Sequence, residues 1–412
     1  MRNASISVLL PLIFSSALYA QEPALTFETA EKALLTANPA AAAAAQNLET
    51  ARLRVTAARA GFYPAFSASA SYSRSGSQLA PAGDSYSYGF NGTQPLFAPA
   101  VPAALRAANA SLSGAQAAYA RACSALRYQL RSVFADILNS AEIIKLSQET
   151  LRRRTENLEL LRLKYQAGRE NKAALLETEA ILKTAQWQHE KYRKNLRLQE
   201  RRLNRLLGRA PQTPAPELVL PRPPEPPEDP SVFLPLLKNH HALLAARAAL
   251  AAAEASADSA RSAVLPEASA NGNYRWNGSD WPSSLNSWGL GASVSLPLFS
   301  GGRLSANLAA ANTARLAADQ EMKNASDEVY LAAEDAWLAW REARSYMDVA
   351  KSSLDAAEAR AWLVRKQYLA GQTSYFEWRN VEEQFISEQN QYLAAQRGLI
   401  LGHAAFAQAL GE

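Results

Sequence analysis

The chain repeats itself. Pro64 recurs as Pro266 and Pro95-Leu96-Phe97 as Pro297-Leu298-Phe299, at one and the same offset. Tyr165-Gln166-Ala167-Gly168 returns as Tyr368-Leu369-Ala370-Gly371, one residue further along. Anchors kept in order over about a hundred residues mark two copies of one structural unit. The expected division is a leader at 1–20, a first repeat at 21–210, a connector at 211–235 and a second repeat at 236–412. Pro crowds the connector from Pro211 to Pro235. A residue without an amide proton and with φ fixed makes that tract run extended across the surface.

Each copy carries short runs of period two. Phe66, Ala68, Ala70 and Tyr72 alternate with Ser67, Ser69, Ser71 and Ser73, and Tyr86, Tyr88 and Phe90 alternate with Ser85, Ser87, Gly89 and Asn91. In the second copy Ala268, Ala270, Gly272, Tyr274 and Trp276 oppose Glu267, Ser269, Asn271, Asn273 and Arg275. Trp288, Leu290, Ala292, Val294 and Leu296 likewise oppose Ser287, Gly289, Gly291, Ser293 and Ser295. Such alternation predicts strands with one apolar and one polar face. The hairpins span about 65–97 and 267–299, with Gly76 to Asp84 as the first loop. Runs of about 9–11 residues are what a tilted strand needs to cross a bilayer. Four strands cannot close a barrel, and an open edge in lipid leaves backbone groups without partners. The chain must therefore oligomerise, and a trimer supplies twelve strands, within the even-numbered range of membrane barrels. Tyr72, Tyr86, Tyr274, Trp276, Trp281 and Trp288 gather near the loop ends, where an aromatic girdle meets the membrane interface.

A long helical stretch follows each hairpin. From about Val101 to Tyr165 and from about Arg303 to Tyr368 helix formers dominate, each roughly 65 residues or about 98 Å at 1.5 Å per residue. In the second, Ala333, Ala336, Trp340, Ala343, Met347, Ala350, Leu354, Ala357, Ala361, Val364 and Tyr368 follow at steps of three and four, a heptad seam. The first seam runs through Leu130, Val133, Ile137, Ile144, Leu151, Leu158, Leu161 and Tyr165, interrupted by Ser140, Ser147 and Arg154. Shorter helices are expected at Thr26 to Ala60, Asn171 to Leu207, Val232 to Val264 and Ser374 to Leu410. Stacked end to end, two short helices match one long rod. Strands at one end and turns at Gly168 and Gly371 at the other make a cylinder about 100 Å long.

The start of the chain reads as an export signal: Arg2, an apolar stretch from Ile6 to Leu18, then small residues before Gln21. Cleavage after Ala17 or Ala20 are both open. The only Cys is Cys123, so neither a lipoprotein anchor at the cleavage region nor an internal disulfide or Cys-based metal site is expected. Mean hydropathy is −0.22, and the absence of a mature apolar run of about 18 residues excludes a multi-span helical transporter. The 43 Lys+Arg against 38 Asp+Glu leave +5, too weak a field for a nucleic-acid binder. With four His and no nucleophile–base or phosphate-loop motif, neither enzyme chemistry nor a cofactor is expected.

The doubled helix–hairpin–helix unit, the Pro-Leu-Phe after each hairpin, Ser300-Gly301-Gly302-Arg303 opening the second rod, and the Tyr-x-Ala-Gly turns together resemble the TolC-like outer membrane efflux proteins. The resemblance implies an α+β membrane protein: a trimeric twelve-stranded transmembrane β-barrel, four strands per chain, continued by a long periplasmic α-helical coiled-coil barrel. It further implies passive conduction, in the outer membrane of a Gram-negative bacterium, of cargo from a periplasmic adaptor and an inner-membrane pump. On the same ground Tyr165, Gly168, Tyr368 and Gly371 correspond to adaptor-contacting turns. Glu377 falls where the family often places an acidic pore residue, and Asn380 stands where a second acid would be. Glu177 is its counterpart in the first copy. Three copies of Glu377 would form a carboxylate ring attracting cations. An outer-membrane conduit for type I protein secretion, or an exported adhesin-type coiled coil, are the competing readings of the same pattern.

Overall fold

The computed structural model describes residues 24–77 and 80–412, so the expected export signal lies outside the described residues. The chain opens with β1 (Leu25–Thr26), α1 (Phe27–Ala37) and α2 (Pro39–Ala60), then the hairpin of β2 (Ala65–Ser77) and β3 (Ala80–Phe97). The rod α3 (Ala100–Gln166) follows and α4 (Lys172–Leu206) returns along it. After β4 (Leu218–Val219) and two 3-10 turns, Pro230–Val232 and Leu234–Asn239, the pattern starts again. It comprises α5 (His241–Ser262), β5 (Glu267–Gly278), β6 (Leu285–Ser295), α6 (Arg303–Leu369) and α7 (Tyr375–Ala409). Both rods have 67 residues, about 100 Å each. Both returning helices have 35. Pro102 falls in the first turn of α3, where an amide proton would have no intrahelical partner.

Two expected helices are shorter than the sequence suggested. The stretch from Thr26 to Ala60 breaks at Asn38–Pro39. Asn38 caps α2 by accepting from Ala40 N at 2.8 Å, Pro39 supplies the first helical residue, and Asn38 Nδ2 donates to Leu206 O at 2.9 Å. The end of α4 and the start of α2 thus meet, and the helices that join end to end have 22 and 35 residues. In the second copy the helix begins at His241 instead of Val232, because Pro230 and Pro235 hold the preceding segment in 3-10 turns.

The four long strands form one sheet in the order β2–β3–β5–β6, all neighbours antiparallel. The register sets Ala68 opposite Phe90, Phe90 opposite Tyr274 and Tyr274 opposite Trp288, so the apolar sides of both hairpins share one face. The first hairpin outgrows its expected length. Pairing continues through Arg74–Asp84, Ser75–Gly83 and Ser77–Ala80, so most of the presumed loop is strand. A ladder needs backbone partners and not apolar side chains, so polar sequence does not end it. The two Pro-Leu-Phe segments also part ways. Pro95 to Phe97 stays in β3, which has β5 as a second neighbour, whereas β6 is an edge strand and ends at Ser295, before Pro297.

The second heptad seam holds. Ala333, Trp340, Ala350, Ala361, Val364 and Tyr368 are buried and its other members half-buried. Burial concentrates in three places along the rods. One cluster joins Leu25, Phe27 and Leu34 to Leu130, Phe134 and Leu203 near the connector. Its counterpart in the second copy packs Phe233 and Leu237 with Ala333, Trp337, Trp340 and Phe406. The third gathers Leu161, Val364, Tyr368, Tyr375, Trp378 and Phe385 at the turn end. The connector straps this framework: Leu218–Val219 pairs in parallel with Leu25–Thr26, Trp337 Nε1 donates to Pro227 O at 2.8 Å, and Glu225 pairs with Arg344 at 3.0 Å.

Candidate functional site

Both rods end in the same backbone device. Gly168 and Gly371 adopt φ of 68° and 76°, a left-handed conformation that glycine enters without a Cβ penalty. Arg169 N then donates to Lys164 O at 2.9 Å and Gln372 N to Gln367 O at 2.8 Å, closing the last helical turn. Three residues past each glycine an N-cap starts the returning helix. Asn171 Oδ1 accepts from Ala174 N at 2.8 Å, and Ser374 Oγ accepts from Glu377 N at 3.2 Å.

Side chains make the two turns unequal. Tyr368 is 1% exposed, its ring stacked on Trp378 at 4.5 Å, whereas Tyr165 is 38% exposed. The Lys164 ammonium lies 3.6 Å from the Tyr368 ring centroid and donates to the Tyr368 carbonyl at 3.1 Å, tying the two turns at one level. Tyr368 OH donates to Glu170 Oε1 at 2.9 Å, and burial followed by this bond pushes the phenol pKa up. The expectation of two equivalent Tyr-Gly turns therefore holds for the backbone and not for the tyrosines. α3 and α7 press together here, covering Tyr368 and leaving Tyr165 on the outside.

The three candidate constriction residues each meet a guanidinium. Glu377 pairs with Arg360 at 3.2 Å, Glu177 pairs with Arg379, and Asn380 Oδ1 accepts from Arg379 Nη2 at 3.0 Å. The sequence shows the acids at these positions but not the guanidiniums that meet them, Arg360 on α6 and Arg379 on α7. The first seam contained the one available signal for a further group, an arginine where an apolar residue belongs. Arg154 is 8% exposed and sits with Asn157, Thr178, Tyr375, Trp378 and Glu382 around a small gap between α3, α4 and α7. Burial pushes its pKa down, opposed chiefly by Glu382. Glu382, 4% exposed, also faces Arg153 at 3.8 Å, and Thr178 Oγ1 hydrogen-bonds Tyr375 OH at 2.7 Å.

At the other end the girdle candidates come together, with one exception and one addition. Tyr72 packs on Tyr86 at 5.0 Å, Tyr86 on Trp281 at 6.0 Å, and Tyr274 on Trp276 at 4.6 Å. Tyr88, which sequence reading placed on the apolar face but not in the girdle, joins them: its ring stacks on Trp276 at 5.4 Å and touches Trp281 at 4.9 Å. Trp288 stands opposite Tyr274 in the ladder and is 72% exposed, outside the ring cluster. Among the described residues no group of three His, Cys, Asp or Glu is arranged to hold a metal ion, and no helix is long and apolar enough to cross a membrane.

Comparison with known proteins returns this architecture. The family model for outer membrane efflux proteins matches residues 31–209 and 235–412, most of both halves. Among curated proteins the chain is similar to the outer membrane efflux protein BepC of Brucella suis, 22% identical over 289 residues, covering 69% of this chain and 63% of that one. Its fold is that of VceC from Vibrio cholerae, with a TM-score of 0.80, 19% identity, and 93% and 96% of the two chains covered. It is equally that of the Campylobacter jejuni outer membrane channel CmeC, at 0.83, 16%, 93% and 85%. The Neisseria gonorrhoeae outer membrane channel MtrE gives 0.79, 21%, 93% and 88%.

Proposed function

The chain belongs to the outer membrane efflux protein family, and from that premise we propose that it is the outer-membrane channel of a tripartite efflux system. In this reading it passively conducts substrates, delivered by a periplasmic adaptor and an inner-membrane pump, to the exterior of a Gram-negative cell. The observation that carries the reading is the four-stranded sheet. It has one face of Phe66, Tyr72, Phe90, Tyr274 and Leu290, an opposite face of Ser, Asn and Gly, and unpaired outer edges on β2 and β6. Such a sheet satisfies its backbone in lipid only when copies close it, and three copies make a barrel of about twelve strands, lipid outside and water inside. The helices continue that wall into the periplasm as the two repeats, 21–210 and 236–412, joined through 211–235.

Within this reading the ring cluster of Tyr72, Tyr86, Tyr274, Trp276 and Trp281 lies at the outer interface. The turns at Tyr165–Gly168 and Tyr368–Gly371 face the adaptor, and Glu177, Glu377 and Asn380 with their arginines line the narrow end. Cargo passes unchanged. The test is complementation in a Gram-negative host that has lost its own efflux channel, with the cognate adaptor and pump supplied. The expected outcome is restored resistance to pump substrates, abolished by deleting residues 369–373 while the protein remains in the outer membrane. A freely soluble, monomeric mature protein overturns the reading.

A further inference from the structure

The polar face of the sheet is almost free of charge. Among the described residues it holds no charged side chain on β2, β3 or β6, and on β5 it holds two, Glu267 and Arg275. Glu267 opens β5 opposite Ser295, at the helix end of the sheet, whereas Arg275 lies toward the loops. Tyr274 and Trp276 flank Arg275 along the chain and belong to the aromatic cluster on the other face. Arg275 is therefore level with that cluster and behind it. Across the ladder it stands opposite Gly89 of β3 and Ser287 of β6, and Asn273 and Asn277 precede and follow it on the same face. Gly89 is required here, because a Cβ would lie 2.2 Å from Tyr274 O and 2.7 Å from Arg275 Cα. All these neighbours are short, so the guanidinium is the group that can reach farthest from the wall.

No carboxylate neutralises it. Among the described residues Arg275 forms neither an ion pair nor a side-chain hydrogen bond. The other charges at this end of the sheet are engaged elsewhere. Asp84 pairs with Arg74 at 3.8 Å and accepts from Tyr72 OH at 2.9 Å, on the aromatic side. Asp280 belongs to the loop between β5 and β6, which leans on that same side: Trp281 packs on Tyr86 and Tyr88, and Tyr88 OH donates to Ser283 O at 3.2 Å. The polar face thus keeps one uncompensated cation near the loops. A charge without a partner does nothing to hold the sheet together, so its effect falls on the solution that the face meets.

We infer that Arg275 forms an anion-attracting collar just inside the exterior mouth of the channel, with three guanidiniums at one height around the axis. The collar rests on the trimeric barrel proposed above, in which this face lines the water-filled lumen, and adds a selectivity element to it. Cyclic symmetry sets the three copies level, and no acid on the wall offsets them. Anions, whether inorganic or bearing carboxylate or phosphate groups, are enriched there and cations depleted. The field crosses the lumen only when salt is dilute: the screening length is about 30 Å in about 10 mM salt and about 3 Å in about 1 M. The collar lies at the opposite end of the conduit from the Glu377–Arg360 pair, so the two act independently.

The experiment uses the full-length protein in phospholipid bilayers, on a Cys123→Ala background. Ser287→Cys places a thiol across the ladder from Arg275, and its modification rate is measured with an anionic and a cationic methanethiosulfonate. In about 10 mM salt, adding Arg275→Gln is expected to lower the anionic-to-cationic rate ratio roughly tenfold, whereas Arg275→Lys keeps it. In about 1 M salt the ratio should no longer depend on residue 275. Tyr274→Cys, on the opposite face, is expected to resist both reagents. In channel recordings at low salt the chloride-to-potassium permeability ratio should fall roughly twofold with Arg275→Gln and further with Arg275→Glu. Conducting trimers whose thiol rates or permeability ratio ignore residue 275 overturn the collar and leave the channel standing. A protein that forms no trimeric channel, or one in which Tyr274→Cys reacts and Ser287→Cys does not, overturns the barrel reading along with it.

Discussion

The two copies share a backbone plan and differ in what they bury. At the turn end the glycines, the helix-closing bonds and the N-caps correspond position by position, yet Tyr368 is sealed beneath Trp378 while Tyr165 faces outward. At the connector end Asn38 and His240 are both buried N-caps of the helix leading into the strands, one accepting from Ala40 N and the other, through Nδ1, from Ala242 N at 3.2 Å. Only the second can take up a proton. The difference teaches that duplication preserves the elements that set chain direction, while at the turn end the side chains between them make the second copy packed core and leave the first as rim.

The sharpest way to break that contrast is to remove its centre. Trp378→Ala deletes a ring 3% exposed, packed on Tyr368 and within 6.3 Å of Tyr375, and truncating a buried Trp costs about 3–5 kcal/mol. Hydrogen exchange should show the last turns of α6 and the first turns of α7 losing protection by orders of magnitude. Tyr165→Ala, on the rim, should change exchange in its own turn alone, with a cost within about 0.5 kcal/mol. Equal losses from the two substitutions would mean that the turns are equivalent after all. Next in size is Glu382→Ala, which leaves the buried Arg154 and the half-buried Arg153 without the carboxylate they face. Stranding a buried charge costs about 3 kcal/mol or more. The loss should appear where α3 meets α7, and much of it should be recovered when Arg154→Met is added.

How much of this was legible in the sequence follows from what kind of force fixes each feature. The rods, the turns and the two-faced strands depend on local spacing, so Gly168, Gly371 and the Ala-rich seam announce them directly. The Asn38–Pro39 break was readable too, since Pro following a good N-cap starts a helix as readily as it interrupts one. Pairing between helices was not. Arg360 meets Glu377 across the turn that joins α6 to α7, and Arg379 meets Glu177 of the other copy only because α7 and α4 converge at the tip; nothing in the spacing of either chain segment reports that convergence. Arg154 lies between these cases: its polar side chain in an apolar row marked the site, but its counter-charge sits more than two hundred residues away in sequence.

A smaller effect separates the copies by pH. Burial pushes the His240 pKa below its ordinary 6.5, and burial with the neighbouring His240 and Arg121 charges brings His241 to about 4. Because both folded values lie below the unfolded one, their contribution to stability is present above about pH 6.5. It is lost as pH falls from there toward about 4. Protonating His240 also destroys the acceptor that caps α5, a loss of about 1 kcal/mol. Protection at the start of α5, taken relative to the intrinsic exchange rate at each pH, should therefore fall between pH 7 and pH 5 while that at the start of α2, capped by Asn38, stays constant. His240→Asn should transfer the first copy's insensitivity to the second; an unchanged acid response would place its origin elsewhere.

The smallest expected effect concerns conductance. Glu377 and Arg360 are both about half-exposed, so their pair contributes little to stability, and Glu377→Gln should leave the fold and the membrane-inserted assembly intact. In the trimer reading, what changes is the charge presented at the proposed narrow end. With the carboxylate present, each Arg360 is compensated. Without it, three uncompensated guanidiniums face the same space in the trimer reading, and reversal potentials in a salt gradient should move toward anion preference. Arg360→Gln should move them the opposite way, and the double substitution should return near the starting value, because the pair and not either charge alone sets the local field. In the first copy, Glu177→Gln releases Arg379, which still holds Asn380, so its shift should be the smaller of the two. Selectivity indifferent to all four variants would remove this level from the constriction.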